Sequence, residues 1–425
     1  MSEKSMTFDI VIVGAGPAGL AAAVAASQSS RSVAVIESSP WVGGQLWRRP
    51  ESPGTPKAGK RWHARFKACG AQLITEASVV DSIAPGHLLV ETAESAFNLF
   101  YSKLIVAVGA REQFIPFPGW TLPNVFGAGG LQLLAKSGWP VKGKRVVVAG
   151  SGPLLLAVGA QLRKRGAHVL LIAEQTSLAR FLGFGLCLPY LAPAKILQAM
   201  TCQGQLLGVP YKTSCWPVKA HGHDVLEGVT LSSAGGRAWD VPCDFLACAF
   251  GMVPNLELAR VLGCDIEHDK VTVDIWQETS VKQIFCAGEP TGLGGMDRAL
   301  VEGQIAGYSS TDQPQKAKAL FGTRHKTHGF TSALARGFAL RDELKTLATP
   351  DTIVCRCEDV TARQLAACDS LRSARLYTRC GMGACQGRNC GTAAKILYGW
   401  ESKSSRPPVV PVRVESLVNI LPDKA

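Results

Sequence analysis

The sequence has no uninterrupted stretch of about 18 apolar residues, the length a bilayer-crossing helix needs, and it therefore predicts no membrane span. The nearest candidate, FLGFGLCLPYLAPAKIL, is broken by Pro189 and Pro193 and reads as an interfacial or partner-facing surface. There is no run of five or more consecutive basic residues and no aromatic-rich RNA-binding signature, so the formal charge of +12 does not argue for nucleic acid. The excess is uneven. Residues 313–425 hold 18 Lys+Arg against 9 Asp+Glu, which suits a basic docking face for an acidic protein partner. Charged residues are only 18% and apolar residues 47%, a balance that excludes a disordered chain. No acid/base constellation stands out: His63, His221, His223 and His325 fall in stretches that read as loops and are expected to be solvated.

A basic signal-peptide n-region is also missing. The N-terminal apolar run follows Glu3 as well as Lys4, and its glycines keep a nucleotide-binding spacing. A cytoplasmic, reducing location is expected, in which the eight cysteines before residue 300 serve as small buried hydrophobes. Nor is there a CxxC pair among those eight. Cys243 and Cys248 alone have a redox-like spacing, and they follow a strand-like WDVP and read as core.

What is present is glycine in phosphate-binding patterns. In FDIVIVGAGPAGLAAAVAASQSSRSVAVIE a β-branched strand runs into Gly14, Gly16 and Gly19, then a helix, then a second strand ending in Glu37. Gly14 permits the tight turn, Gly16 lets backbone amides approach a pyrophosphate, and Gly19 lets the helix pack on the strand. Pro17 and Ala18 open the helix, and Glu37 suits a ribose hydroxyl and repels a 2′-phosphate. The unit recurs at 144–174, where Gly150, Gly152 and Pro153 are followed by Leu155 in the third, normally small, position and by Glu174. That second turn is the weaker one: NAD, ATP or ADP, or vacancy all remain open, with NADPH disfavoured.

The last quarter supplies metal-ligand chemistry. Six cysteines lie between 355 and 390. In an extended segment Cys355 and Cys357 face one side and can grip one metal, while Cys385 and Cys390 offer a second pair from a Gly-rich turn. Four thiolates suit Zn²⁺ or [2Fe–2S], and a redox-active neighbour favours iron. Cys380 is a possible substitute ligand, and Cys368 reads as packing.

With these motifs assembled, the chain resembles the flavin-containing α-subunits of heteromeric amine and imino-acid dehydrogenases, the family of opine oxidase, D-hydroxyproline dehydrogenase, hydrogen cyanide synthase and dye-linked L-proline dehydrogenase. The segments that carry the resemblance are VGAGPAGLAAA, GGQLWR, AVGAREQFIPFPGWTLPNVFGAGGLQLL, AGSGPLLLA, AGEPTGLGGMDRALVEGQIAG and CRCEDV with GMGACQGRNC. The resemblance implies an α/β chain with two Rossmann-like dinucleotide-binding domains of the disulfide-reductase type and a small C-terminal [2Fe–2S] domain similar to bacterioferritin-associated ferredoxin. It implies FAD on Gly14, Gly16, Pro17, Ala18, Gly19, Glu37, Gly44, Gln45, Arg48, Val79, Ala107, Gly109, Gly288 and Glu289, the last replacing the usual Asp. It implies ATP or NAD near Gly150, Gly152, Pro153 and Glu174, and cluster ligands Cys355, Cys357, Cys385 and Cys390, with Ala the expected residue where this chain has Cys380.

The expected layout is an FAD domain at 1–120 and 246–310, a second nucleotide domain at 121–245, a linker and helix at 311–350, and a cluster domain with extended tail at 351–425. A flavoprotein β-subunit would carry the substrate site for an amino or imino acid, and a quinone or carrier would accept the electrons. The resemblance also admits an FMN at a subunit interface and a small ferredoxin-like γ-subunit. The competing reading is a self-sufficient NADH-dependent reductase, and a third is a sensor with a vestigial flavin fold.

Overall fold

A computed structural model describes residues 5–48, 55–401 and 405–418. The chain divides into two compact units, one of residues 1–111, 253–331 and 403–425 and the other of residues 112–252 and 332–402.

In the first unit the apolar run Ser5–Val13 forms a parallel strand between Val33–Ile36 and Ala96–Val106, with Ile10 opposite Val33 and Lys103. Gln72–Ile74 extends one edge, and Ile284–Cys286 pairs with Ala96–Val106. Ala77–Ala84, His87–Thr92 and the long strand Ala96–Val106 pair antiparallel as a meander. Helices Pro17–Ala26 and Gly295–Ser310 pack through small residues. A Cβ on Gly303 would lie 2.1 Å from the Ala18 carbonyl oxygen, and one on Gly307 2.4 Å from that of Ala22, so only glycine admits this closeness.

The second unit repeats the architecture. Its parallel sheet orders Tyr211–Lys212, His168–Glu174, Arg145–Gly150, Phe245–Ala249 and Val125–Gly127, and Cys215–His221, Gly228–Ser233 and Ala238–Pro242 form an antiparallel three-stranded sheet. Cys243 and Cys248 are buried in its core, where burial raises both thiols. The apolar segment broken by proline forms two helices, Leu178–Leu191 and Pro193–Gln205, of which Phe184 alone is buried. Leu186 is 76% and Tyr190 90% exposed, an unusual outcome for such apolar helices. No helix among the described residues is long and apolar enough to cross a membrane.

Three local expectations change. Residues 309–329, at the head of the expected linker and helix (311–350), are largely helical: Pro314 starts a short helix at Pro314–Lys318, and a second runs over Phe321–Gly337. His63 and His325 lie on helices and His221 on a strand, so only His223 of those four is in a loop. The tail, expected to be extended, includes a helical turn at Val414–Val418, and its residues 402–404 and 419–425 lie outside the described residues.

Candidate functional site

The first glycine turn is built where the parallel strands end. Gly14 has φ +104°, and a Cβ there would meet the Ala107 carbonyl oxygen at 2.4 Å; a Cβ on Gly19 would meet the Gly14 oxygen at 1.8 Å. Gly16 differs, because its missing Cβ points into open space with nothing within 4 Å. The helix that follows has no side-chain cap, so its first-turn amides remain available for an anion. Glu37 is 8% exposed, and its carboxylate accepts hydrogen bonds from the Ala15 amide (2.8 Å) and the Ser39 amide (2.8 Å). That bracing fixes the acid at the end of its strand.

The other predicted residues gather around this turn. Gly44, at φ +56°, lies against Gly16, with a virtual Cβ contact of 3.1 Å to its Cα. Arg48 ends the same short turn with its guanidinium over Trp41, and its Nε is buried without a hydrogen-bond partner among the described residues. Gln45 is exposed. Val79 is buried in a strand whose first residue, Ala77, donates to the Glu37 carbonyl at 3.0 Å. Ala107 follows its strand with its amide on Val13 O (2.9 Å), and the Gly109 carbonyl accepts from Asn255 N (3.0 Å). An open cradle at Gly16, uncapped amides and an orphaned guanidinium nitrogen fit a dinucleotide pyrophosphate.

Gly288 and Glu289 complete the group in a manner not expected. A Cβ on Gly288 would lie 2.9 Å from Ala18 Cβ, so this segment abuts the first helix. The Glu289 carboxylate accepts from the amides of Gly294 (3.1 Å) and Gly295 (3.0 Å), while burial pushes its pKa up. The Gly288 amide donates to a different acid, Glu302, at 3.0 Å. Glu302 is fully buried; it also accepts from Thr291 Oγ1 at 2.6 Å and pairs with Arg298 at 2.7 Å. Sequence reasoning missed this network, although Arg298 and Glu302 at i and i+4 in DRALVEG were the available signal.

The second turn is shaped alike but covered. Gly150 has φ +138° and sits against the Ala249 backbone, and Gly152 has φ +95°. Pro153 caps the helix, and Leu155, in the third position, is fully buried. Where a Cβ on Gly152 would point, ring atoms of Phe338 lie at 3.8 and 4.0 Å. The strap that brings Phe338 there is stitched to the turn: Ser151 Oγ donates to Phe338 O (3.1 Å), Thr176 Oγ1 to Gly337 O (3.2 Å) and Gln175 Nε2 to Ala339 O (3.2 Å). Glu174 has no exposure at all and accepts from the Gly152 amide (2.8 Å), the Thr176 amide (2.9 Å) and Tyr211 OH (3.3 Å). Burial raises its pKa despite these donors. Three of the roughly four acceptor positions of the carboxylate are thus taken within the protein.

The cysteine segment forms two groups rather than one foursome. The strand Ile353–Cys355 ends at Cys355 and turns, so the extended geometry expected for Cys355 and Cys357 does not hold. The sulfurs of Cys355, Cys380 and Cys390 lie within 4.8 Å of one another, all buried. Cys357 is exposed and is hydrogen-bonded with Cys385. The thiols of Cys380 and Cys390 donate to the Cys355 sulfur, which holds its pKa far below the usual thiol value. Glycines keep the site open: a Cβ on Gly383 would lie 2.3 Å from Cys357 Cβ. Arg375 lies against Gly381 and Gly387, its Nε buried without a hydrogen-bond partner among the described residues. Clustered thiols, a glycine-rich loop and a cation beside it fit an anionic thiolate-bound metal centre.

Against known proteins, the family described as pyridine nucleotide-disulphide oxidoreductase matches residues 8–306. An opine oxidase subunit of Rhizobium meliloti is 29% identical, over 99% of this chain and 89% of that protein. The hydrogen cyanide synthase subunit HcnB of Pseudomonas aeruginosa is 31% identical, over 89% of this chain and 90% of its own length. Among solved structures, the L-proline dehydrogenase of P. horikoshii superposes with a TM-score of 0.70 at 18% identity, covering 97% of this chain and 80% of that one. The T. acidophilum thioredoxin reductase gives 0.57 at 19% identity, over 73% of this chain and 99% of its own. Both show a shared fold.

Proposed function

Because the chain belongs to the pyridine nucleotide-disulphide oxidoreductase family, and within it groups with the opine oxidase subunit and HcnB, we propose that this oxidoreductase is the electron-transfer subunit of a heteromeric dehydrogenase or oxidase. In this reading a catalytic flavoprotein subunit oxidises the C–N bond of an amino or imino acid, of the opine, hydroxyproline, proline or glycine class. The present chain passes the electrons to a quinone or carrier. FAD, when bound, exchanges electrons in pairs or singly and a [2Fe–2S] centre exchanges them singly, which is the redox chemistry such a relay needs.

The chain's own residues provide binding and orientation. Amides at Gly16 and Ala18 receive the pyrophosphate, Glu37 holds the ribose, and Arg48 supplies a cation at the turn. Glu302 fixes the Gly288 amide so that the late segment closes the site from the other side. Cys355, Cys357, Cys385 and Cys390 are the proposed cluster ligands, and Arg375 offsets the charge of the site. The exposed apolar helices 178–205 suit a surface that a partner subunit covers.

One observation favours the relay over a self-sufficient NADH reductase. Phe338 occupies the space over the second glycine turn, where a nicotinamide dinucleotide would lay its pyrophosphate, whereas nothing lies within 4 Å of the corresponding position at Gly16 in the first turn. The test is anaerobic addition of NADH to the purified chain. The flavin absorbance should persist with NADH and bleach with an imino or amino acid only when the catalytic subunit is present; rapid bleaching by NADH alone would sink the proposal.

A further inference from the structure

The cluster segment holds one thiol more than a [2Fe–2S] centre takes. Four thiolates complete that centre, yet five of the cysteines between 355 and 390 belong to the site by geometry. Cys355, Cys380 and Cys390 have sulfurs within 4.8 Å of one another. They are 1%, 0% and 1% exposed, which separates them from the pair Cys357 and Cys385 nearer solvent.

Resting on the cluster reading above, we infer that Cys380 is a reserve ligand for the inner end of the centre, able to take the place of Cys355 or Cys390 when either is lost. The backbone presents it independently of both. Helix Leu371–Thr378 ends at Arg379 with φ +63°, Gly381 turns back with φ +82°, and Cys380 sits between them with its amide on Thr378 Oγ1 at 3.3 Å. Cys355 comes from a strand end and Cys390 opens the helix Cys390–Tyr398, so removing either leaves the other two segments in place. With four ligands engaged Cys380 has no coordination position and stays a thiol. When an inner ligand is missing, its sulfur binds the vacated iron position and releases its proton. The outer pair has no such neighbour, so loss of Cys357 or Cys385 leaves a gap that nothing fills.

The experiment uses the full chain purified anaerobically, with iron and acid-labile sulfide per chain and the EPR spectrum of the reduced protein as readouts, and bound flavin as a folding control. Wild type and Cys380→Ala should carry a full centre with the same spectrum. Cys390→Ala should keep most of its iron with an altered spectrum, and Cys380→Ala combined with Cys390→Ala should lose about tenfold or more, as should Cys385→Ala. Because Cys390 opens a helix, Cys355→Ala, alone and with Cys380→Ala, gives the same comparison from the strand side. The inference is overturned if the inner single variants are as depleted as the doubles, if Cys380→Ala alone empties the site, or if Cys385→Ala retains iron. A wild-type chain without stoichiometric iron and sulfide would instead defeat the cluster reading itself.

Discussion

Replacing Glu174 with Ala tests whether the second acid serves the fold or a ligand. The substitution strips the acceptor from the Gly152 amide, the Thr176 amide and Tyr211 OH, all in a site with no exposure. A buried donor left unsatisfied costs about 1–3 kcal/mol, and water entering the gap recovers part of that, so a total of about 3–6 kcal/mol is expected. For a unit of about 200 residues this lowers Tm by roughly 6–24 °C. Flavin content should be unchanged, because Glu174 and the first glycine turn belong to different units. The assay is a thermal melt with quantitation of flavin and of any co-purifying nucleotide. A variant that melts like wild type but loses a bound adenine nucleotide refutes the reasoning, since its carboxylate then faces a ligand rather than the strap and turn.

Gly303→Ala forces a Cβ to 2.1 Å from the Ala18 oxygen, so the two helices must part; flavin should be lost and stability fall by about 1–3 kcal/mol, and normal flavin loading would contradict this. Glu substitutions at Leu186, Tyr190 and Leu197 in the exposed apolar helices should leave the melting curve intact and abolish co-elution with the catalytic subunit; unchanged co-elution would move the interface elsewhere. Burial acts to raise the Glu91 carboxyl, but donors from Ser416 Oγ (2.6 Å) and Arg413 N (3.0 Å) and the Arg413 charge hold it below the ordinary value. A depressed folded pKa stabilises above the unfolded value and is lost as pH falls through the folded one. Hydrogen exchange of 405–418 should therefore quicken, beyond the intrinsic rate change, between about pH 7 and about pH 3.5, and unchanged protection would refute the link.

Much of the first site was legible because its signals are local. Gly14, Gly16, Gly19 and Glu37 occupy one strand, turn, helix and strand; Gly14 and Gly19 answer to backbone contacts within that unit or beside it, and Gly16 to the open space beside it. The second turn carried similar but weaker local signals, with Leu155 in the third position, and left NAD, ATP or ADP and vacancy all open, because what lies over it arrives from 337–341, more than 180 residues later. No periodicity in GFALR announces that a phenylalanine will lie over a glycine turn. Glu302 was hidden likewise: at i+4 from Arg298 it reads as an ordinary surface ion pair, and only burial against Gly288 gives it a role. The cysteines were legible as a cluster but not in their grouping, since the strand ends at Cys355 and the turn separates it from Cys357. Residues 309–329 looked like a linker on composition, yet Pro314 is tolerated at a helix start and contacts elsewhere override weak propensity.

The interrupted first unit has a consequence for biosynthesis. Its sheet needs Ile284–Cys286, and its first helix needs Gly303 and Gly307, so residues 1–111 leave the ribosome without the partners that complete them. Residues 112–252 hold the entire parallel sheet of the second unit and emerge before the first unit is complete, with 332–402 completing the second unit last. That sheet can therefore form on the nascent chain while the N-terminal third waits for 253–331, reversing the usual N-to-C order. During that wait the apolar strand Ile10–Val13 and the alanine-rich helix after it are exposed, which makes this interval the one in which a chaperone matters most.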